Sequence, residues 1–165
     1  MIQFPRDEER LATLQKLLSR PLVFTNGCFD LIHHGHVVVL QHAWRLTMPH
    51  GSLVVGLDDD ASVRVLKGFG RPVMSLEARA TLLEALCFTP TVVGFPTSEL
   101  ERLIDLLSPD VIVKGGDYSQ DNVRGYDDVS VVIAPYDDRY STTSTIRRIL
   151  ETCPRSRHDG PSLGR

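Results

Sequence analysis

The segment Thr25-Asn26-Gly27-Cys28-Phe29-Asp30-Leu31-Ile32-His33-His34-Gly35-His36 holds the densest set of residues able to do chemistry. Two imidazoles three positions apart around a glycine can sit together over one oxyanion and donate hydrogen bonds to it. Gly27 lets the backbone turn close against a ligand, and Gly35 opens a helix whose free N–H groups and positive dipole end favour an anion. The pattern suits phosphoryl transfer, with His33 and His36 donating to charge that develops in the transition state. Two other readings use the same residues. One is a histidine-rich helix start with solvated side chains; the other is a metal site built from Asp30, His33 and His36. Zinc motifs ordinarily need a further ligand cluster, and His42, His50 and His158 supply no such pattern.

Further polar groups recur after later strand-like runs. Asp58-Asp59-Asp60 precedes Lys67-Gly68-Phe69-Gly70-Arg71-Pro72. One of these carboxylates could hold a water-shelled Mg²⁺ that accompanies a nucleotide, and Lys67 could neutralise phosphates as a mobile point charge. A solvated loop or helix cap is the plainer reading of three acids in a row. Arg79 lies at the edge of the apolar stripe Leu76, Ala80, Leu83, Cys87, where it either meets an anion or snorkels to solvent. Lys114-Gly115-Gly116-Asp117-Tyr118 offers bare backbone at Gly115 and Gly116, with Asp117 able to accept sugar or ribose hydroxyls. A simple turn with an Asx cap is the alternative there. Ser141-Thr142-Thr143-Ser144-Thr145 starts a helix with hydroxyls and no acid, leaving its N-terminus open to an anion.

The elements that must position these groups follow from apolar runs. Short, largely β-branched stretches predict strands at Leu22–Thr25, Leu53–Leu57, Thr91–Gly94, Val111–Val113 and Val129–Ala134. Helical patterns lie between them at about Asp7–Ser19, Gly35–Thr47, Ser75–Leu86 and Ser98–Leu107, with a last one from Thr142 to Glu151. Alternating strands and helices, with strands apolar on both sides, predict an α/β fold: a doubly wound, five-stranded parallel sheet covered on both faces. Ligands in such folds bind beyond the carboxyl ends of the strands, which is where the polar groups fall.

Composition bounds the function. The 165 residues fit one domain, 1–153, followed by a polar tail, 154–165, expected to be disordered. A net charge of −3 argues against a general nucleic-acid binder, and no apolar run reaches membrane-spanning length. Cys28, Cys87 and Cys153 are odd in number and lack C-x-x-C spacing, which fits reduced thiols. With no apolar leader, a cytoplasmic location is expected. The phosphate loop, dinucleotide fingerprint and nucleophile-elbow motifs are all missing.

These residues resemble a known family. T-N-G-C-F-D-L-I-H-H-G-H, together with K-G-x-x-R-P, V-K-G-G-D-Y and S-T-T before a final helix, is similar to the cytidylyltransferase-like superfamily over about Leu22 to Leu150. K-G-G-D-Y is most similar to the branch that adenylylates heptose 1-phosphate. The resemblance implies a Rossmann-like three-layer sandwich with strand order 3-2-1-4-5, and a homodimer. It implies AMP transfer from ATP, with Mg²⁺, to a sugar 1-phosphate supplied by a separate kinase. His33 and His36 would contact the phosphates, Lys67 would hold the triphosphate, and the loop through Thr25, Asn26, Gly27 and Phe29 would approach it. Asp60, Arg79 and Ser141, Thr142 and Thr143 would complete the nucleotide site; Asp30, Gly115, Gly116 and Asp117 would face the sugar. A CTP-dependent glycerol-3-phosphate cytidylyltransferase and a silent nucleotide-binding module are the alternatives. His34, Arg139 and Tyr140 depart from the branch's usual pattern.

Overall fold

The computed structural model describes residues 1–88, 90–116, 129–135 and 139–153. Strands run over Ile2–Gln3 (β1), Leu22–Gly27 (β2), Ser52–Asp58 (β3), Thr91–Phe95 (β4), Val111–Lys114 (β5) and Ser130–Ile133 (β6). Helices span Glu8–Gln15 (α1), His34–Leu46 (α2), Asp60–Lys67 (α3), Leu76–Glu84 (α4), Leu100–Leu107 (α5) and Thr142–Thr152 (α6). The expected tail and Asp117 lie outside the described residues.

All pairings are parallel, and the sheet order is β1-β4-β3-β2-β5-β6. The five expected strands keep the order 3-2-1-4-5. A sixth, β1, adds at one edge by pairing Ile2 with Val93 and Gln3 with Gly94. Two residues flanked by Pro5 and charged positions are too short to show a period, so only the tertiary structure reveals this strand.

Side-chain alternation sends successive residues of each strand to opposite faces. Val23, Val55, Leu57 and Val113 pack with Leu40 and Ala43 of α2 and Ala80 and Leu83 of α4. Phe24, Val54 and Ile112 pack with Leu11 of α1 and with Leu103, Ile104 and Leu107 of α5. Burial on both faces is why these strands read as continuous apolar runs.

Helix α3 is absent from the helices that the sequence predicts, and its start bears out the helix-cap reading of the acidic run. Its N-cap, Asp59, accepts a hydrogen bond from the Ser62 backbone N–H at 2.7 Å. Within it only Val63 is buried, while Val65 and Leu66 are exposed. With one buried position there was no apolar stripe to detect, although the D-x-x-S cap was present.

Candidate active site

Central strand β2 has β3 on one side and β5 on the other, so the topology reverses beside its carboxyl end. A cleft of ≈ 490 Å³ opens there. It gathers Thr25, Asn26, Gly27 and Phe29 from the β2–α2 connection, with Asp30, His33 and His36 beyond them. Lys67, Gly115, Gly116, Ser141, Thr142 and Thr143 reach the same cleft from α3, β5 and α6.

Helix α2 begins with no side-chain cap and no acid in its first turn, unlike α3, α4 and α6, which are capped by Asp59, Ser75 and Ser141. Its first N–H groups are left for a ligand. The rings of His33 and His36 stack at this end, centroids 3.8 Å apart and inclined by 23°, and Phe29 lies 5.2 Å from His36 on centroids. Gly35 permits the arrangement: a Cβ there would stand 3.2 Å from the His33 ring and 3.2 Å from the Tyr140 carbonyl. Gly115 plays the matching part on β5, since a Cβ would come within 2.5 Å of Val39 on α2. The turn before the helix holds Phe29 and Leu31 at φ 46° and 50°, a left-handed conformation that non-glycine residues adopt at a cost and that recurs at functional sites.

Burial, with His33 adding its charge, pushes the His36 imidazole down to about 3; burial and then His34 lower His33 as well. Both rings are therefore neutral near pH 7. Each Nδ1 is buried without a hydrogen-bond partner among the described residues. The sign of the resulting pH dependence is fixed: from about pH 6.5 down to about 3, the unfolded chain binds a proton at residue 36 that the folded protein does not. Stability should therefore fall as pH drops through that window. Urea unfolding at pH 7.5 and pH 5 should show a steeper loss for the native protein than for His36→Gln; equal slopes would mean that His36 titrates normally.

Asp30 lines the cleft but is 1% exposed, and its carboxylate is taken by the protein. It accepts from Arg71 Nε at 2.6 Å and from the backbone N–H groups of Val73 and Met74 at 2.9–3.0 Å. Burial alone would raise this carboxyl, yet those donors together hold it below the usual carboxylate value. Asp30 thereby clamps the segment after α3. A second brace joins Arg79 and Asp60. Arg79 is 0% exposed and donates to Met74 O (3.1 Å), Cys28 O (2.5 Å) and Asp60 Oδ1 (2.7 Å). Neither residue borders the cleft, and in this geometry the pair braces the turn at Cys28. Arg71, in contrast, does border it.

Of the last helix start, Ser141 Oγ accepts from the Ser144 N–H, and Thr142 Oγ1 donates to Asp30 O at 2.7 Å. Sequence reasoning missed Asp58, Thr97 and Leu100 as cleft residues, as well as Lys114 and Tyr140. Asp58 was visible only as part of an acidic run: Asp59 caps α3, Asp60 pairs with Arg79, and Asp58 alone faces the cleft. Among the described residues no cluster of three or more histidine, cysteine or acidic side chains is arranged to hold a metal.

The H-x-G-H histidines thus line a helix N-terminus at the switch point of a parallel α/β sheet. The chain belongs to the cytidylyltransferase-like family, whose profile matches residues 24–151. The bifunctional protein HldE of Campylobacter jejuni subsp. doylei is 43% identical over 147 residues, covering 88% of this chain and 31% of its own length. That of Syntrophotalea carbinolica is 46% identical over 143 residues, covering 84% of this chain and 29% of its own length. The chain therefore spans under a third of the length of these relatives. A solved lipopolysaccharide core biosynthesis protein from Thermoplasma volcanium GSS1 shares the fold, with a TM-score of 0.61 at 20% identity over 71% of this chain and 98% of the other. No helix among the described residues is long and apolar enough to cross a membrane.

Proposed function

We propose that the protein transfers AMP from ATP to D-glycero-β-D-manno-heptose 1-phosphate, giving ADP-heptose and pyrophosphate. The observation that carries the chemistry is the stacked His33–His36 pair at the uncapped start of α2. Substrate choice is supported by V-K-G-G-D-Y and by the identity to the HldE proteins.

In this scheme the triphosphate lies across the helix end. Neutral His33 and His36 donate N–H hydrogen bonds to the α-phosphoryl oxygens, most strongly where charge builds up in the transition state. Lys67, at the end of α3, neutralises the outer phosphates, and the backbone from Thr25 to Phe29 packs against them. The N-terminus of α6 receives the terminal phosphate, with Thr143 the hydroxyl there that makes no hydrogen bond among the described residues. One acceptor oxygen attacks the α-phosphorus in line and the bond to pyrophosphate breaks. The nucleophile is already anionic, so positioning and charge neutralisation suffice without a strong base or a covalent intermediate. Mg²⁺ would arrive on the nucleotide with its own water shell, as the ion commonly does when it is bound through phosphates. Gly115, Gly116 and Asp117 are assigned to the sugar side. A kinase acting on the anomeric hydroxyl must supply the sugar 1-phosphate.

The test is pyrophosphate release in a matrix of ATP, CTP, GTP and UTP against heptose 1-phosphate and glycerol 3-phosphate. Release confined to ATP with the heptose ester is expected. Release with CTP and the glycerol ester would replace this assignment with the cytidylyltransferase alternative, and silence throughout would favour a binding module.

A further inference from the structure

The side of the cleft away from α2 carries two buried charges that phosphate binding does not use. Parallel register and period-two alternation place Phe24 and Asn26 of β2, Val54 and Asp58 of β3, and Ile112 and Lys114 of β5 on one face. Phe24, Val54 and Ile112 lie in the apolar layer beneath α1 and α5. At the strand ends this face turns polar. Asp58 is 4% exposed and Lys114 8% exposed, yet both border the cleft.

Asp58 is held by weak, neutral donors. Its Oδ1 accepts from Thr97 Oγ1 at 2.9 Å, and its Oδ2 faces Cys28 Sγ at 3.6 Å. It forms no ion pair among the described residues. Lys114 Nζ donates instead to Asn26 Oδ1 at 2.7 Å. A carboxylate has about four acceptor positions, so Asp58 keeps room for further donors. Leu66 at the end of α3 and Leu100 at the start of α5 line the same cleft with apolar surface.

This combination discriminates between the two substrates. A carboxylate repels a triphosphate, so phosphates are directed to the α2 and α6 ends, where N–H groups and histidines gather. The same carboxylate attracts neutral hydroxyl donors. In-line transfer also requires the acceptor to approach opposite the departing pyrophosphate.

We propose that Asp58, fixed in place by Thr97, is a specificity determinant for the acceptor, receiving hydrogen bonds from the hydroxyls of a polyol phosphate whose carbon skeleton lies against Leu66 and Leu100. The assignment rests on the transferase reaction proposed above and adds the element that tells a polyhydroxylated acceptor from a simpler phosphate.

The experiment is a split of Michaelis constants in Asp58→Asn and Thr97→Val, with folding of each checked by circular dichroism. Asp58→Asn, isosteric but carrying an N–H₂ where an acceptor oxygen stood, should raise KM for heptose 1-phosphate by about tenfold or more, the scale of one hydrogen bond to a charged group. KM for ATP should stay within about twofold. Thr97→Val should shift the same constant in the same direction by a smaller factor. A change confined to the ATP constant, a changed Mg²⁺ requirement with an unaltered acceptor constant, or no change at all would each overturn the assignment. Should the wild-type protein use glycerol 3-phosphate instead, the heptose reading fails while the same split, measured on the glycerol ester, still decides the role of Asp58. Should it turn over neither acceptor, calorimetry with heptose 1-phosphate decides: binding lost in Asp58→Asn supports the assignment, and equal binding, or none to the wild type, overturns it.

Discussion

Replacing His36 with alanine should lower turnover by about 10²-fold or more while leaving the fold intact, the loss seen when one preorganised donor to a transition-state oxyanion is removed. His36 sits between His33 and Phe29 at the cleft, outside both hydrophobic core clusters. Truncation therefore removes a donor without opening the core. The fall should appear in kcat and kcat/KM together, with the ATP KM little changed, because the contact strengthens only as charge develops. His36→Gln, which keeps an N–H donor in roughly the same place, should fall between the two. Steady-state kinetics with unfolding curves on the same samples is the check. Near-normal turnover in His36→Ala would remove His36 from the mechanism.

The second large effect is one of stability. Arg79→Met should destabilise the protein by about 2–3 kcal/mol, the scale of leaving acceptors without their charged donor. Met74 O and Cys28 O would lose their donor, and Asp60 would lose its cation. The bond to Cys28 O matters most for function, because it secures the turn that holds Phe29 at φ 46° beside the histidines. Weaker catalysis in this variant should follow from that turn loosening and should track the loss of stability. Urea titration with parallel kinetics separates the roles. A variant of undiminished stability with a large rise in KM for ATP would return Arg79 to the nucleotide.

What could be read from the sequence divides along a physical line. The strands of the central sheet were legible because β2, β3, β4 and β5 are buried on both faces and leave unbroken apolar runs, whereas their order came from the family resemblance alone. The histidine site was legible because one contiguous segment, Thr25 to His36, supplies the turn, the helix start and both imidazoles. Strand β1 and helix α3 were not: each depends on partners far along the chain and buries too few residues to impose a period. The same limit explains the arginines and acids. Arg71 stands in a Gly-Arg-Pro segment and Arg79 within a helix, and neither context shows that α4 turns Arg79 inward to Cys28 O while Arg71 reaches the cleft and Asp30. Of Asp58, Asp59 and Asp60, each has a different task fixed by whether it ends a strand, caps a helix or opens its first turn. Such assignments depend on side-chain direction, which one-dimensional spacing does not carry.

The most direct test of the central claim follows oxygen through the reaction. Heptose 1-phosphate bearing ¹⁸O at its three terminal phosphoryl positions is incubated with ATP and the protein, and the products are read by ³¹P NMR. Attack of an acceptor oxygen on the α-phosphorus predicts ADP-heptose that retains all the label, one ¹⁸O now bridging the two phosphorus atoms, and unlabelled pyrophosphate. Label in pyrophosphate, or an ¹⁶O bridge in the sugar nucleotide, would contradict the account.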